Sequence, residues 1–202
     1  MEEEKIGMLV EAVAKRIFVE LEASGRHVHV TREQALELFG HPLTPQRPLS
    51  QPGQYLARER VTIRGPRGEF RNVAVLGPER KEGQVEISLT DGRTLGIAPP
   101  VRSSGDVEDS PGIRLEGPKG QLDLPQGVIA AQRHIHMTPE DAHRMGVQDR
   151  QRVRLQVYSA RPLILENVLV RVSPEYATFA HLDYDEANAC GMKPGDLGRI
   201  LK

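Results

Sequence analysis

Residues 26–31 read Arg-His-Val-His-Val-Thr, and residues 133–138 read Arg-His-Ile-His-Met-Thr. Four of the seven histidines of the chain lie in these two hexapeptides. On a strand, residues i and i+2 point to one face. His27 and His29 can therefore offer two imidazoles to one ion, and so can His134 and His136. A lone His-x-His is weak evidence, but two copies in a repeated context point to metal binding. Imidazole nitrogen suits Zn²⁺ best among the usual cellular ions, with Fe, Co or Ni as competitors. A catalytic zinc takes three protein ligands and keeps one position open, so each pair calls for a third ligand. Candidates stand at other strand ends: Glu86, a carboxylate in the otherwise apolar GQVEIS, and His181, behind the apolar run of ATFAHLDYDEANA. His41, before a proline, and His143, in a helical stretch, read as surface residues.

The elements that carry these residues are legible around them. Thr31 and Thr138 are good helix N-caps. Gln34 occupies the capping-box position of the first, and Pro139 the first helical position of the second. Short helices, REQALELF and PEDAHRM, should follow and end at Gly40 and Gly146. The repeat thus extends well beyond six residues and looks like a duplicated structural unit. Glu33 and Glu140 complete a His-x-His-x-x-x-Glu pattern that is part of the cupin metal signature. The threonine caps would turn both glutamates away from the strand face, and the other cupin motifs are missing.

Strand signals fill the rest of the chain. VTIRG-PRG-EFRNVAVLG and GIRLEG-PKG-QLDLPQGVIAA are apolar runs about Gly-Pro-x-Gly turns. VEISL, RVRLQV and LILENVLVRV read as further strands, and Asp91-Gly92 sits where a hairpin turn would. Ile6, Leu9, Val10, Val13, Ile17 and Leu21 fall near helical spacing, predicting a helix over residues 6–21. Together these predict a mainly β fold of two tandem β-barrel domains capped by short helices. The helix spans 5–23, docked on the second barrel; the first domain spans 24–125 and the second 126–202.

The totals exclude several classes. With 27 basic and 28 acidic residues, nothing suggests a nucleic-acid footprint. The single cysteine, Cys190, rules out an intrachain disulfide and suits a reducing compartment. MEEEKIGMLVEAVAKRIF does not read as a secretory signal, and no apolar run is long enough to span a membrane.

Longer motifs now come together. VLGPERKEGQVEIS, RSSGDVEDSPGIRLEGPKG, GVIAAQRHIHMTPEDA and HLDYDEANACG resemble the propanediol-utilisation, or PduL-type, phosphotransacylases, the phosphate propanoyltransferases. The resemblance runs from about residue 24 to the C-terminus. It implies two β-barrel domains, a homodimer and a two-zinc site that exchanges acyl groups between coenzyme A and phosphate. Carried over by motif, His27, His29 and Glu86 would hold one zinc, and His134, His136 and His181 the other. Arg80 matches the family's phosphate-binding arginine, and Ser24, Ser104 and Asn188 match pocket positions. The setting implied is the bacterial cytoplasm, or a microcompartment lumen with its shell as partner. The extended encapsulation tail of shell-associated members is not evident. Two departures stand out: Ser24-Gly25 where members often have Ser-Asn, and Tyr184 where threonine is common.

The reaction implied is acyl-CoA + phosphate ⇌ acyl phosphate + CoA, with acetyl and propanoyl groups both candidates. It needs a stabilised thiolate, a polarised carbonyl and a bound phosphate. Zinc serves the first two. A guanidinium fork such as that of Arg80 serves the third in a way lysine cannot copy. No acyl-enzyme is required, and Cys190, with no obvious paired base, reads as structural. The rivals are a two-metal hydrolase of phosphate esters or amides and a non-enzymatic metal-binding or assembly protein.

Overall fold

The computed structural model describes residues 5–7, 13–14 and 16–201. Residues 5–7, 13–14 and 16–17 are helical, and Ile6, Val13 and Ile17 are exposed there. The helix expected to reach residue 21 stops short, because from Phe18 the chain is a strand, β1 (Phe18–Ser24). A competing period explains the difference. Val19-Glu20-Leu21-Glu22 alternates apolar and acidic; Val19 and Leu21 are buried while Glu20 is exposed, the pattern of a half-buried strand. The rest of that expected helix, and its docking, lie outside the described residues.

The chain divides into two compact units, one of residues 25–132 with 183–185, the other of the remainder. The first contains β2 (His27–His29), α1 (Arg32–Phe39), β3 (Pro45–Pro48), β4 (Tyr55–Arg64), β5 (Glu69–Gly77) and β6 (Gln84–Glu86). It continues through α2 (Leu89–Leu95), β7 (Val101–Arg102), β8 (Ile113–Glu116), β9 (Gln121–Leu124) and β10 (Val128–Ala131). Its strands form one sheet curled into half a barrel, in the order β7-β10-β6-β2-β5-β4-β8-β9, with β3 on β4. Val28, Leu38, Ile63 and Leu115 are fully buried in its core. Both Gly-Pro-x-Gly turns form as expected. Gly65 N–H donates to the Gly68 carbonyl at 2.9 Å between β4 and β5, and Gly117 to Gly120 at 2.8 Å between β8 and β9.

One turn does not form. Asp91-Gly92 lies inside α2, where a capping box takes over: Asp91 N–H donates to Ser88 Oγ at 3.1 Å and Ser88 N–H to Asp91 Oδ2 at 3.3 Å. A Ser-x-x-Asp helix start outweighs the Asp-Gly hairpin signal.

The second unit contains β1, β11 (His134–Met137), α3 (Pro139–Met145), β12 (Arg152–Tyr158), β13 (Leu163–Val172), β14 (Phe179–Asp183) as far as Leu182, α4 (Tyr184–Cys190) from Glu186 onward, and β15 (Leu197–Leu201). Its strands close into a barrel in the order β1-β14-β11-β13-β12-β15. Val19, Ile135, Met137, Leu155 and Leu182 are buried in its core. The fold is mainly β, as the sequence predicts. No helix among the described residues is long and apolar enough to cross a membrane.

Candidate metal centres

The same local construction assembles three side chains in each unit. In the first, β2 runs parallel to β5 and antiparallel to β6, with His27 opposite Glu86. In the second, β11 runs parallel to β13 and antiparallel to β14, with His134 opposite His181. Directly opposed residues have Cβ atoms about 5 Å apart, and the second histidine of each pair, two residues on, shares their face. The helices that follow fix the chain's exit. Thr31 Oγ accepts from Gln34 N–H at 3.2 Å while Gln34 Oε1 accepts from Thr31 N–H at 2.9 Å. Thr138 Oγ accepts from Asp141 N–H at 3.1 Å. Gly40 and Gly146 end the helices with φ of 81° and 63°, in the left-handed region that favours glycine. Glu33 and Glu140 lie exposed on these helices, away from the clusters, so the cupin-like pattern has no counterpart in space.

His27, His29 and Glu86 are all buried. His27 Nδ1 lies 2.8 Å from the Gly25 carbonyl and His29 Nδ1 3.3 Å from that of Leu76. A carbonyl oxygen only accepts, so each Nδ1 carries the hydrogen and each Nε2 is left to face Glu86. Those Nε2 atoms lie 3.5 Å and 3.8 Å from the carboxylate oxygens. Burial opposes charge here, but it is outweighed for Glu86, whose carboxyl the neighbouring imidazoles and Ser104 hold far below the usual range. Burial likewise opposes a charged His27, yet the Glu86 charge and the hydrogen bonds to Glu86 and Gly25 raise its pKa above normal. His29 is driven well below normal by burial first, then by the positive His27 and Arg80. The cluster thus contains a carboxylate, a neutral imidazole and a proton-sharing imidazole. A divalent ion would displace that proton.

His134, His136 and His181 form the second cluster, with ring centroids 4.6 Å to 5.0 Å apart. His181 Nδ1 sits 3.3 Å from Glu22 Oε2, an orienting carboxylate that leaves Nε2 to the cluster. The Tyr176 ring lies against His136 at 4.1 Å, with the Arg171 guanidinium 5.8 Å from the Tyr176 ring centre.

Both donor sets suit zinc. In each, one donor atom per residue lies within 4.8 Å of the others. Two ligands about 2.1 Å from a tetrahedral ion lie about 3.4 Å apart, close to the His27–Glu86 separation.

Around Glu86 the polar chain continues. Ser104 Oγ donates to Glu86 Oε1 at 2.7 Å, Gln84 Nε2 donates to the same oxygen at 2.6 Å, and Arg80 Nη1 donates to Ser104 Oγ at 3.1 Å. Arg80 therefore stands one hydroxyl away from a cluster carboxylate. Ser24, the last residue of β1, is half-buried, and Asn188 is exposed on α4. His41 and His143 are exposed, as expected. Cys190 is fully buried, its Sγ donating to the Ala187 carbonyl at 3.3 Å, and burial raises its pKa. Sequence reasoning missed Gln84 and Glu22. Gln84, a polar residue in a buried strand two positions before Glu86, carried the signal; Glu22 was hidden by the helical reading of its strand. Tyr184 covers Gly25: a Cβ added there would lie 2.7 Å from the Tyr184 ring carbon bearing the hydroxyl.

The description of the phosphate propanoyltransferases matches residues 20–193. A protein of that name from Enterococcus faecalis is 52% identical over 96% of each chain. One from Listeria monocytogenes is 51% identical over 100% of this chain and 98% of its own. One from Thermotoga maritima is 53% identical over 89% of this chain and 87% of its own. With clusters of metal-ligating type at the registers described and this similarity over nearly its whole length, the chain belongs to the phosphate propanoyltransferase family of acyltransferase enzymes.

Proposed function

We propose that this chain interconverts acyl-CoA plus phosphate with acyl phosphate plus CoA, using two zinc ions, one in each three-residue cluster. The observation that carries the reading is the paired register, His27 opposite Glu86 and His134 opposite His181, which presents a three-donor face in each unit. When bound, zinc supplies a Lewis acid for the thioester carbonyl and a partner that stabilises the leaving thiolate.

The chain's own groups do the rest. Arg80 grips the phosphate through its guanidinium fork and aligns an oxygen for attack on the carbonyl carbon. A C–O bond forms, the C–S bond breaks, and its electron pair leaves with the CoA sulfur. Ser104 fixes both Arg80 and Glu86, so the phosphate and the cluster keep one spacing. Holding two substrates in register can contribute on the order of 7 kcal/mol. Cys190 takes no part, since its thiol is buried and its pKa raised.

The test is purified, zinc-replete protein with acetyl-CoA or propanoyl-CoA, followed by free-thiol release. Thiol release that depends on phosphate and yields acyl phosphate is expected. Release independent of phosphate would mean hydrolysis, and no release would refute acyl transfer from either thioester.

A further inference from the structure

The residue directly before the first histidine of each pair is an arginine, and each arginine bonds a carboxylate of its own unit, Arg26 through two nitrogens and Arg133 through one. Arg26 donates from Nε to Asp91 Oδ2 at 3.1 Å and from Nη2 to Asp91 Oδ1 at 2.6 Å, and its guanidinium lies 4.1 Å over the Phe70 ring. Arg133 donates from Nη1 to Glu186 Oε1 at 2.6 Å and from Nε to the Glu166 carbonyl at 2.7 Å. Asp91 stands five residues after Glu86, and Glu186 five residues after His181. Each acid lies in the first turn of the helix that follows the strand of the third cluster residue.

The ladder explains why this matters. β2 and β6 pair over three positions, and the His27–Glu86 pair closes one end of that ladder. β11 and β14 pair over three positions, and His134–His181 closes one end in the same way. Beyond that end the pairing between the two strands does not continue among the described residues. The arginine–carboxylate bond spans this gap in both units. It joins the start of the histidine strand to the helix whose N-terminal turn carries the chain away from the third cluster residue. In the first unit Asp91 also accepts from Ser88 N–H, so the restraint reaches within two residues of Glu86.

We propose that Arg26 and Arg133 are positioning residues: each holds the third donor, Glu86 or His181, against its histidine pair and thereby sets the zinc affinity of that cluster without touching the ion. This rests on the metal reading above. The chemistry is that of an outer-shell restraint, whose loss typically weakens metal binding by about 10–100-fold. The alternative is a pair of ordinary bridges that stabilise the fold alone.

The experiment titrates the full chain with zinc against a chromophoric chelator, with His134→Ala and His27→Ala backgrounds each isolating one cluster. Arg26→Gln in the His134→Ala background is expected to lower zinc affinity about 10–100-fold, with Arg26→Lys intermediate. Arg26→Gln in the His27→Ala background leaves the remaining ion's affinity unchanged. Arg133→Gln gives the mirror result. Asp91→Asn added to Arg26→Gln costs little more, because both break the same two-bonded Arg26–Asp91 contact. Metal-free melting is measured on every variant. A lower melting temperature with unchanged zinc affinity overturns the proposal and leaves a fold-stabilising bridge. Should Arg26→Gln fail to fold, Arg26→Lys and Asp91→Asn decide by the same criterion. A parent chain that binds no zinc refutes the metal reading and this inference with it, an outcome distinct from normal two-ion binding with insensitive variants.

Discussion

Replacing Arg80 with lysine separates charge from shape. Arg80 N–H donates to the Val30 carbonyl at 2.9 Å, a bond lysine or alanine would keep, so the backbone should not move. The side chain gives one N–H to Ser104 at 3.1 Å, and the fork is the part lysine cannot reproduce. Alongside burial, the larger effect on His29, the Arg80 charge disfavours protonation of His27 and His29. Lysine keeps that influence, so zinc content should stay normal. Losing one charge-assisted hydrogen bond costs about 2 kcal/mol, a loss of roughly 30-fold in kcat/KM for Arg80→Lys. Arg80→Ala loses the whole contact, about 4 kcal/mol or roughly 1000-fold. The assay is steady-state thiol release with phosphate as the varied substrate. The phosphate KM should rise and kcat fall, while the acyl-CoA KM stays near its parent value. Unchanged phosphate dependence in both variants would refute the assignment and return Arg80 to a solvated turn.

Three further outcomes are expected. Cys190→Ala keeps most of the activity, and the native Cys190 resists iodoacetamide at neutral pH until denatured, because only the thiolate reacts and burial raises its pKa; a thousandfold loss with metal retained would point instead to an acyl-enzyme. Chelation abolishes turnover and zinc restores it, whereas magnesium, which prefers oxygen ligands, does not; full activity in metal-stripped protein would count against the zinc reading. Deleting residues 1–21 removes Val19 and Leu21 from the barrel core, about 3–6 kcal/mol of burial, and should lower the melting temperature by about 10–20 °C; an unshifted melt would mean β1 is dispensable.

What was legible in the sequence was local. The histidine pairs, the threonine caps, the terminating glycines and the Gly-Pro-x-Gly hairpins each announce themselves within a few residues, and each forms as read. Errors arose where two local codes overlapped. Residues 17–22 satisfy both a helical and a strand period, and barrel closure between β14 and β15 decides for the strand. Asp91-Gly92 is a good hairpin turn and also part of a good helix start, and the cap decides. Contacts such as Arg26–Asp91, 65 residues apart, leave no local trace at all. Glu86 and His181 could be nominated from their strand settings, but their register against the histidines is a property of the sheet.

The packing of Tyr184 on Gly25 bears on how such a sequence can change over time. With a Cβ at position 25 held to 2.7 Å from the Tyr184 ring, a side chain gained there first meets the ring, while a small residue gained at 184 first leaves space over the glycine. Positions 25 and 184 are therefore coupled through space, and what one can carry depends on the other. The low-strain order opens the space before filling it: a smaller residue at 184 first, then a side chain at 25. A change at position 25 alone must displace the exposed Tyr184 ring, so a library that varies both positions together reaches combinations that one varying position 25 alone reaches only with that displacement.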